Sequence, residues 1–544
     1  MTKKQAIINL KKGQKFLNEG HVDKAIQCYK KSIELDPNSS NSFEFYHRLG
    51  EAFIHKKNLK NAIEAYQEAV KLNPQSEWSY HCLGNAFFWN KDFDRSIDCQ
   101  RQAIEISPKN AVFYYKLGDA LKATSNREEA IICYQKAIEL NPKHSQSYQA
   151  IGELLSKEGK LEEAVSAYQN AIEINPSIET CYQQLGDVLL RQNKTDEAVS
   201  AYLKAIHIQP LFHIPYRRLM YISLNSSQRE ELIACCKKAI EIQPDWILGY
   251  ICAGDMLSLK GDIDSAIGYY KTASIKKVLQ YKPDFPTNQI DPERDSDVKP
   301  DFIIIGGMKC GTTSLYEYIT QHPQVLPGLE KEANFFDHRF HKGLDWYLSH
   351  FPPIPKGTKF LTGEASPGYI NYFKAAARIF SFLPNAKLIL LLRNPVDRAI
   401  SEYHHMVNWA AVEGRPIEEA MLAEMERLKQ IDDPSLVDET YWNTQSTYLL
   451  KGLYIRFIEK WRLLFPKEQL LVLKSEDLYT NTGSTVKQVF DFLGLPDYQL
   501  ESYKNYNPGS YNSARTSVQN MLYEYFAPYN QKLEEYLGRK FDWN

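Results

Sequence analysis

Residues 301–315 read Asp-Phe-Ile-Ile-Ile-Gly-Gly-Met-Lys-Cys-Gly-Thr-Thr-Ser-Leu, and this stretch decides the fold of the second half of the chain. The apolar run 302–305 predicts a buried strand, the glycines predict a tight turn, and the hydroxyl side chains suit the start of a helix. A strand, a glycine-rich turn and a helix N-terminus together form a cradle for an anion, because backbone N–H groups and the helix dipole both favour negative charge there.

The details of this turn indicate which anion it can hold. Gly306 and Gly311 occupy the two glycine positions of a nucleoside-triphosphate P-loop, and Thr313 occupies the position of the metal-binding hydroxyl. Thr312, however, stands where the P-loop has its lysine, and the only lysine, Lys309, lies inside the turn. The turn therefore suits a phosphate but lacks the lysine that reaches a β/γ-phosphate pair, which disfavours a nucleotide kinase.

The pattern G-x-x-K-x-G-T-T-S-L resembles the 5′-phosphosulfate loop of sulfotransferases, enzymes that use 3′-phosphoadenosine 5′-phosphosulfate (PAPS) as donor. The alternative interpretation of the same residues is an ordinary strand–turn–helix corner, since glycine-rich turns are common. The resemblance implies a 5′-phosphosulfate site made of Lys309, Gly311, Thr312, Thr313 and Ser314.

A second motif, Arg-Asn-Pro-Val-Asp-Arg-Ala-Ile-Ser-Glu-Tyr, covers residues 393–403 and follows the apolar run 386–392. Arg393 directly follows the predicted strand, and its planar, permanently charged guanidinium suits phosphate oxygens. The segment resembles the 3′-phosphate-binding segment of sulfotransferases, which implies that Arg393 and Ser401 hold the 3′-phosphate. The alternative is a helix cap with a surface Arg–Asp pair, but the presence of both motifs in one chain disfavours it.

Residues 331–336, Lys-Glu-Ala-Asn-Phe-Phe, resemble the K-E-x-x-F-F element of glycosaminoglycan-type and related bacterial sulfotransferases. The resemblance implies that Glu332 is the general base, while Lys309 stabilises the negative charge that grows on the departing phosphate. His338 and His341 are rival bases, and their H-x-x-H spacing could also suit a metal, although no further ligand lies near them in the sequence. We therefore expect no metal.

Several other candidates in this half are less well determined by the sequence. Arg515 lies where the family has a basic loop that closes over the nucleotide, so it is a candidate ligand of the 3′-phosphate. Asp337 and Glu364 could each orient a lysine. Cys310, inside the phosphate turn, is either a small buried side chain or a redox-sensitive thiol.

The first half of the chain is an internal repeat. Proline recurs every 34 residues, and in most repeats it follows the same series of Gly, Ala, Tyr and Ala, as at positions 118, 130, 134 and 137; the seventh repeat is degenerate, with Met220 and Leu232 in place of Gly and Ala. A period of this length with small residues at fixed places predicts stacked helix pairs that each end at a proline. The pattern resembles the tetratricopeptide repeat, with about eight units. Such arrays present a groove that holds a peptide or protein; a second copy of the chain or its own catalytic domain are the alternatives.

These patterns predict an all-α tetratricopeptide superhelical solenoid followed by a P-loop-like three-layer α/β domain with a parallel central sheet. We place the repeat array at residues 1–278, a proline-rich linker at 279–299, and the sulfotransferase domain at 300–544. Strand-like runs near 302–306, 360–363, 386–392 and 469–473 alternate with helical segments, and this alternation favours a parallel sheet covered by helices. Ligands of such sheets bind at the carboxyl ends of the strands.

The overall composition narrows the class of protein. A net charge of −2 gives no reason to expect nucleic acid as a partner, and no apolar run approaches the roughly 18–20 residues that span a bilayer. No signal peptide is visible, and the nine cysteines contain no Cys-x-x-Cys pair, which is typical of a cytoplasmic protein with reduced thiols.

The sequence thus predicts a cytoplasmic sulfotransferase that moves the sulfuryl group from PAPS to a hydroxyl or amine acceptor. The sequence does not decide whether the acceptor is a saccharide, a protein tyrosine or a carrier-bound metabolite. It also does not decide whether the chain associates with itself. We expect the repeat groove to dock a protein partner or the substrate. The rival hypothesis is a catalytically inactive scaffold, which the intact Lys309, Glu332, Arg393 and Ser401 disfavour.

Overall fold

The computed structural model describes residues 2–37, 42–290, 298–355, 357–407, 414–431, 447–500, 502–504 and 517–543. The chain divides into two compact units, residues 1–228 and 229–544. The Arg515 that the sequence offered as a phosphate ligand lies outside the described residues.

Helices form the whole of the first unit. In chain order they are α1 (Thr2–Asn18), α2 (Val22–Leu35), α3 (Ser42–His55), α4 (Leu59–Leu72), α5 (Glu77–Trp89), α6 (Phe93–Ile106), α7 (Ala111–Ala123), α8 (Arg127–Leu140), α9 (Ser145–Lys157), α10 (Leu161–Ile174), α11 (Glu179–Arg191), α12 (Thr195–Ile208), α13 (His213–Leu219) and the start of α14 (Ser226–Ile242). The predicted helical repeat array is confirmed.

The repeating residues explain the helix pairs. An added Cβ at Gly118 would lie 2.6 Å from the ring of Tyr134, so only glycine lets the two helices of that pair approach so closely. Each second helix ends two residues before its proline, as α8 does before Pro142, because the residue ahead of a proline is disfavoured in helical conformation. In the seventh repeat Met220 replaces the glycine, and α13 is only seven residues long.

The second unit combines the last helices of the repeat array with a sheet. Its helices after α14 are α15 (Ile247–Lys260), α16 (Ile263–Tyr281), α17 (Thr312–Thr320), α18 (Leu344–Leu348), α19 (Phe373–Phe382), α20 (Pro395–His405), α21 (Ile417–Lys429), α22 (Tyr454–Arg462), α23 (Ser475–Thr480), α24 (Thr482–Leu493) and α25 (Ser517–Leu537). Its strands are β1 (Phe302–Gly306), β2 (Val325–Pro327), β3 (Leu361–Ala365), β4 (Lys387–Leu392) and β5 (Leu470–Lys474).

The five strands are all parallel and lie in the order β2–β3–β1–β4–β5. The central strand β1 is fully buried and pairs with β4 in the register Ile304 to Ile389, so that the loops after these two strands leave the sheet side by side. The predicted parallel sheet is confirmed, with four strands close to their predicted positions. The sequence did not predict β2, because three residues that end in a proline give no alternating or apolar run.

None of the described helices is long and apolar enough to cross a lipid bilayer.

Candidate functional site

The turn between β1 and α17 has the backbone conformation of a cradle. Lys309 has φ +64° and Gly311 has φ +93°, both in the left-handed region, and α17 begins at the next residue, Thr312. An added Cβ at Gly311 would lie 2.7 Å from the hydroxyl oxygen of Tyr479, which would have to move, and the positive φ itself favours glycine at this position. The first-turn amides of α17, from Thr312 onward, therefore start directly at the turn, where a helix leaves its N–H groups without intrahelical acceptors.

Cys310 lies behind this turn rather than in the cradle. Its side chain is fully buried, and burial raises the pKa of the thiol to about 11, so the thiolate is a minor species near neutral pH. The Ser475 hydroxyl donates to the Cys310 carbonyl at 2.7 Å and so ties the turn to the end of β5. This environment favours the small buried side chain over the redox-sensitive thiol.

The structure brings the two predicted phosphate motifs together. Arg393 Nη1 donates a hydrogen bond of 3.1 Å to the carbonyl of Lys309, although the two residues lie on different loops. The Arg393 carbonyl in turn accepts from the Tyr454 hydroxyl at 2.9 Å. Ser401, the other predicted 3′-phosphate ligand, lies on α20, which continues from the same strand end. A guanidinium and the lysine-bearing turn therefore share one edge of the sheet.

The second arginine of the 393–403 motif has a different position. Arg398 is fully buried, and its Nη1 contacts Glu402 Oε2 at 2.5 Å, while Lys451 Nζ reaches Glu402 Oε1 at the same distance. Burial alone would raise the pKa of Glu402, but the two cations hold it below its usual range. This buried cluster anchors α20 and leaves Arg393 as the arginine at the cradle.

Lys331 joins the predicted base to the phosphate turn. Its Nζ lies 2.6 Å from Glu332 Oε1 and donates to the Thr313 hydroxyl at 2.9 Å. The Glu332 side chain is 43% exposed, so it is accessible to an acceptor molecule. The sequence named Lys331 only as part of a motif, and the contact with Thr313 could not be inferred from residues so far apart in the chain.

Glu364, at the end of β3, has a buried carboxylate whose hydrogen bonds hold the loop that contains Glu332. It accepts hydrogen bonds from the hydroxyls of Tyr347 at 2.6 Å, Ser366 at 2.5 Å and Tyr369 at 3.2 Å, and from the Ala333 amide at 3.3 Å. Burial raises the pKa of this carboxyl to about 7, although these donors act in the opposite direction. Glu364 therefore positions the loop through hydroxyls and an amide; none of these partners is a lysine.

The rival bases lie in more open surroundings. His338 is 54% exposed, with its Nε2 3.7 Å from the buried Asp337, and His341 is exposed as well. A third histidine, His405 on α20, was not singled out from the sequence. Burial lowers the pKa of His405, and the nearby positive charge of Lys309 lowers it further, which places this imidazole close to the cradle.

Within the described ranges, no group of three or more His, Cys, Asp or Glu side chains is placed to hold a metal ion.

Comparison with known proteins adds the family. A family model described as a sulfotransferase domain matches residues 299–521. Residues 299–521 are therefore a sulfotransferase domain. A second family model, described as the C-terminal domain of cilia and flagella-associated protein 70, matches residues 3–209, and its tetratricopeptide repeats agree with the helix pairs described above. The predicted fusion of a repeat array with a sulfotransferase domain is thereby confirmed.

The curated relatives of the sulfotransferase domain include several heparan sulfate enzymes. The membrane-associated sulfotransferase kil1 of Dictyostelium discoideum is 30% identical, over 45% of this chain and 66% of its own length. The heparan sulfate glucosamine 3-O-sulfotransferase 3B1 of Mus musculus is 29% identical, over 45% of this chain and 65% of its own. The bifunctional heparan sulfate N-deacetylase/N-sulfotransferase 3 of Homo sapiens is 32% identical, over 38% of this chain and 24% of its own. The chain thus spans less than two thirds of each.

Among solved structures, a sulfotransferase from Alicyclobacillus acidocaldarius is 29% identical, with 45% of this chain and 99% of that chain covered and a TM-score of 0.36.

Proposed function

We propose that the protein is an active sulfotransferase that moves the sulfuryl group from PAPS to a hydroxyl or amine. The observation that carries this proposal is the bridge of Lys331 between Glu332 and Thr313, because it places a carboxylate and two cationic side chains around one turn. An inactive scaffold would have no need for an accessible carboxylate that is joined to the phosphate cradle through a lysine.

The cradle fits the two anionic ends of PAPS. Gly307 and Gly311 leave its backbone without side chains; at Gly307 an added Cβ would meet the Cys310 sulfur at 3.1 Å. The first turn of α17, with Lys309, Thr312, Thr313 and Ser314, supplies amides, hydroxyls and one ammonium for the 5′-phosphosulfate. On the neighbouring loop Arg393 and Ser401 supply a guanidinium and a hydroxyl for the 3′-phosphate.

Sulfuryl transfer then follows from these charges. The acceptor oxygen or nitrogen forms a bond to sulfur while the bond from sulfur to the 5′-phosphate oxygen breaks, and the acceptor proton passes to Glu332. Negative charge grows on the departing phosphate oxygen, where Lys309 and the turn amides stabilise it as fixed donors. Lys331, whose Nζ lies 2.6 Å from Glu332 Oε1, holds this carboxylate in place beside the phosphate turn. The products are 3′,5′-diphosphoadenosine and the sulfated acceptor.

A glycan that contains glucosamine is the acceptor to test first, since the names of two relatives specify heparan sulfate glucosamine or N-sulfation. A protein tyrosine or a carrier-bound metabolite remain the other classes of acceptor.

The repeat array would dock a protein partner or the substrate. A cavity of about 470 Å³ opens between α1, α3 and α5, and Tyr29, Tyr66 and Trp89 line it together with Arg48 and Glu51. Trp89 is 53% exposed, and an exposed indole beside charged side chains is typical of a surface that binds a polypeptide. Trp89→Ala should weaken sulfation of a large docked acceptor and leave a short oligosaccharide acceptor unaffected; equal effects on both would contradict docking.

We place the protein in the cytoplasm, because its nine cysteines are all free thiols, as a reducing compartment maintains them. The predicted domain limits at residues 278 and 300 are retained as part of this proposal.

The decisive experiment follows radiolabelled sulfate from PAPS into N-desulfated heparan sulfate, with wild type, Glu332→Gln, His338→Gln and His341→Gln compared. Loss of the general base should reduce turnover by about 10²–10⁴-fold in Glu332→Gln alone. Calorimetry with 3′,5′-diphosphoadenosine in the absence of magnesium should give the same affinity in all four proteins. Loss of turnover in a histidine variant would show that this histidine, and not Glu332, is the general base. Tighter binding of ATP–Mg²⁺ than of 3′,5′-diphosphoadenosine would refute the proposed sulfotransferase activity.

A further inference from the structure

The second unit contains α15 and α16, the eighth helix pair of the repeat array, together with the sulfotransferase domain. Helix α16 contacts β2, the edge strand of the sheet. Val278 of α16, Phe285 and Leu326 of β2 form one buried apolar cluster. Trp346 of α18 donates from its indole nitrogen to the Ser258 hydroxyl on α15 at 2.9 Å. The helix pair and the sheet therefore share a packed interior.

One polar contact in this interface reaches the loop that carries Glu332. Lys277 Nζ, on α16, donates to the carbonyls of Gly328 at 2.8 Å and of Leu329 at 3.0 Å. These two residues directly follow β2, and Glu332 is three residues beyond Leu329. Because β2 is the edge strand among the strands of the described residues, the carbonyls that follow it need partners from outside the sheet, and the ammonium of Lys277 provides them.

The rest of the loop is fixed on its other side by the sheet. The Lys331 carbonyl accepts from the Ala365 amide at 2.8 Å, and the Ala333 amide donates to Glu364. The Leu329 amide donates to the His350 carbonyl at 2.7 Å. The segment between Leu329 and Ala333 is thus held at both ends, by Lys277 and His350 at one and by β3 at the other.

We propose that Lys277 is a positioning residue for sulfuryl transfer: by holding the carbonyls of Gly328 and Leu329, the last helix of the repeat array sets the place of the Lys331–Glu332 pair at the phosphate turn. This inference rests on the proposed function of Glu332 as the base. It makes the eighth repeat a part of the catalytic apparatus as well as the end of a binding array. Burial lowers the pKa of Lys277, in agreement with an ammonium that is enclosed between α16 and the loop.

The chain offers a matched control on the same helix. Lys282, at the end of α16, also donates to two backbone carbonyls, those of His322 at 3.1 Å and Pro323 at 2.8 Å. These carbonyls precede β2, so they fix the other end of the strand and do not adjoin Glu332. Lys277→Met and Lys282→Met each remove one ammonium from a pair of carbonyls, and urea unfolding of both variants separates a loss of stability from a loss of turnover.

The test measures turnover and nucleotide affinity in the full-length chain. Lys277→Met should lower kcat by about 10–100-fold, as a small displacement of a catalytic group does, with the Kd for 3′,5′-diphosphoadenosine unchanged. Lys282→Met should retain the wild-type kcat, and Lys277→Arg should regain most of it because a guanidinium also donates to two carbonyls. An equal loss of kcat in both methionine variants would reduce Lys277 to a structural role, and an unchanged kcat in Lys277→Met would overturn the proposal.

Hydrogen exchange separates this proposal from the proposed function. In Lys277→Met the amides of residues 329–334 should exchange faster than in wild type, while in Lys282→Met the increase should fall on residues 319–327. If wild type transfers no sulfate to N-desulfated heparan sulfate, the proposed function fails with that acceptor class, and the exchange data still decide the anchoring. Unchanged protection of residues 329–334 in Lys277→Met would overturn the proposal whatever the activity.

Discussion

Replacement of Arg393 by alanine tests the arrangement of the nucleotide site most directly. In the structure this guanidinium donates to the Lys309 carbonyl, so its planar fork of N–H groups lies at the phosphate turn. Hydrogen bonds to charged groups contribute about 1.5–3 kcal/mol each, so two bonds to the 3′-phosphate amount to roughly 3 kcal/mol after the loss of hydration. We therefore expect Arg393→Ala to weaken the binding of 3′,5′-diphosphoadenosine on the order of 100-fold.

The assay compares two ligands that differ by one group. Adenosine 5′-phosphate lacks the 3′-phosphate, so calorimetry should give similar affinities for it in wild type and in Arg393→Ala. Arg393→Lys should bind the diphosphoadenosine with intermediate affinity, because it keeps the charge but not the planar fork. Arg95→Ala, which removes an exposed arginine of the first unit, is the control for a change in net charge.

Two results would refute the reasoning. If Arg393→Ala weakens the binding of both ligands equally, the arginine supports the Lys309 turn and does not bind the 3′-phosphate. If Arg393→Ala weakens the binding of neither ligand, Arg393 does not contribute to a nucleotide site. Urea unfolding should show a loss of only about 1 kcal/mol, the contribution of one partly exposed hydrogen bond, so that a misfolded variant can be recognised.

Three further predictions concern single contacts. Gly311→Ala should destabilise the protein by at least about 1–2 kcal/mol in urea unfolding, because φ +93° is unfavourable for alanine and its Cβ would meet Tyr479; unchanged stability would show that the turn relaxes freely. Glu364 has a pKa of about 7, above that of the unfolded chain, so it contributes stability that is fully present at low pH and is lost as pH rises from about 4.5 to 7, by roughly 3 kcal/mol; Glu364→Gln should remove this slope, and parallel pH curves would contradict it. Trp346→Phe should cost about 1–3 kcal/mol, because it removes the indole donor of the buried Ser258 hydroxyl, which also contacts the Tyr270 hydroxyl at 3.3 Å, and leaves part of the indole volume unfilled; Ser258→Ala in the Trp346→Phe background should cost little more.

Much of this fold could be predicted because its determinants are local in the chain. The prolines end helices by backbone sterics alone, and the run from Phe302 to Gly311 fixes a strand and a turn without reference to the rest of the protein. The proximity of Lys309 and Arg393 also followed, since the ends of parallel strands meet at one edge of a sheet. The residue roles at this edge are still predictions.

What the sequence did not reveal depends on contacts between distant residues. Nothing in the pattern around Lys331 indicates the hydroxyl of Thr313 as its partner, and Glu364 could be paired with a lysine as easily as with two tyrosines. The packing of α16 against β2 could not be predicted from the sequence either. The repeat periodicity ends near residue 278, and it would end there whether the last helix packed only on the preceding helices or also on a sheet. Side-chain pairing of this kind is decided by tertiary packing rather than by local propensity.

The order of the strands has a consequence for biosynthesis. Helices of the repeat array pack against their immediate neighbours in sequence, so the nascent chain can fold them in turn as they leave the ribosome. The central strand β1 pairs with β3 and β4, which are both translated later. Until they are made, the apolar residues Phe302 to Ile305 lack their native partners and can form non-native contacts. We expect the refolding yield of the complete chain to be limited by the second unit, and a truncated chain that ends before β4 to be unable to form the cradle.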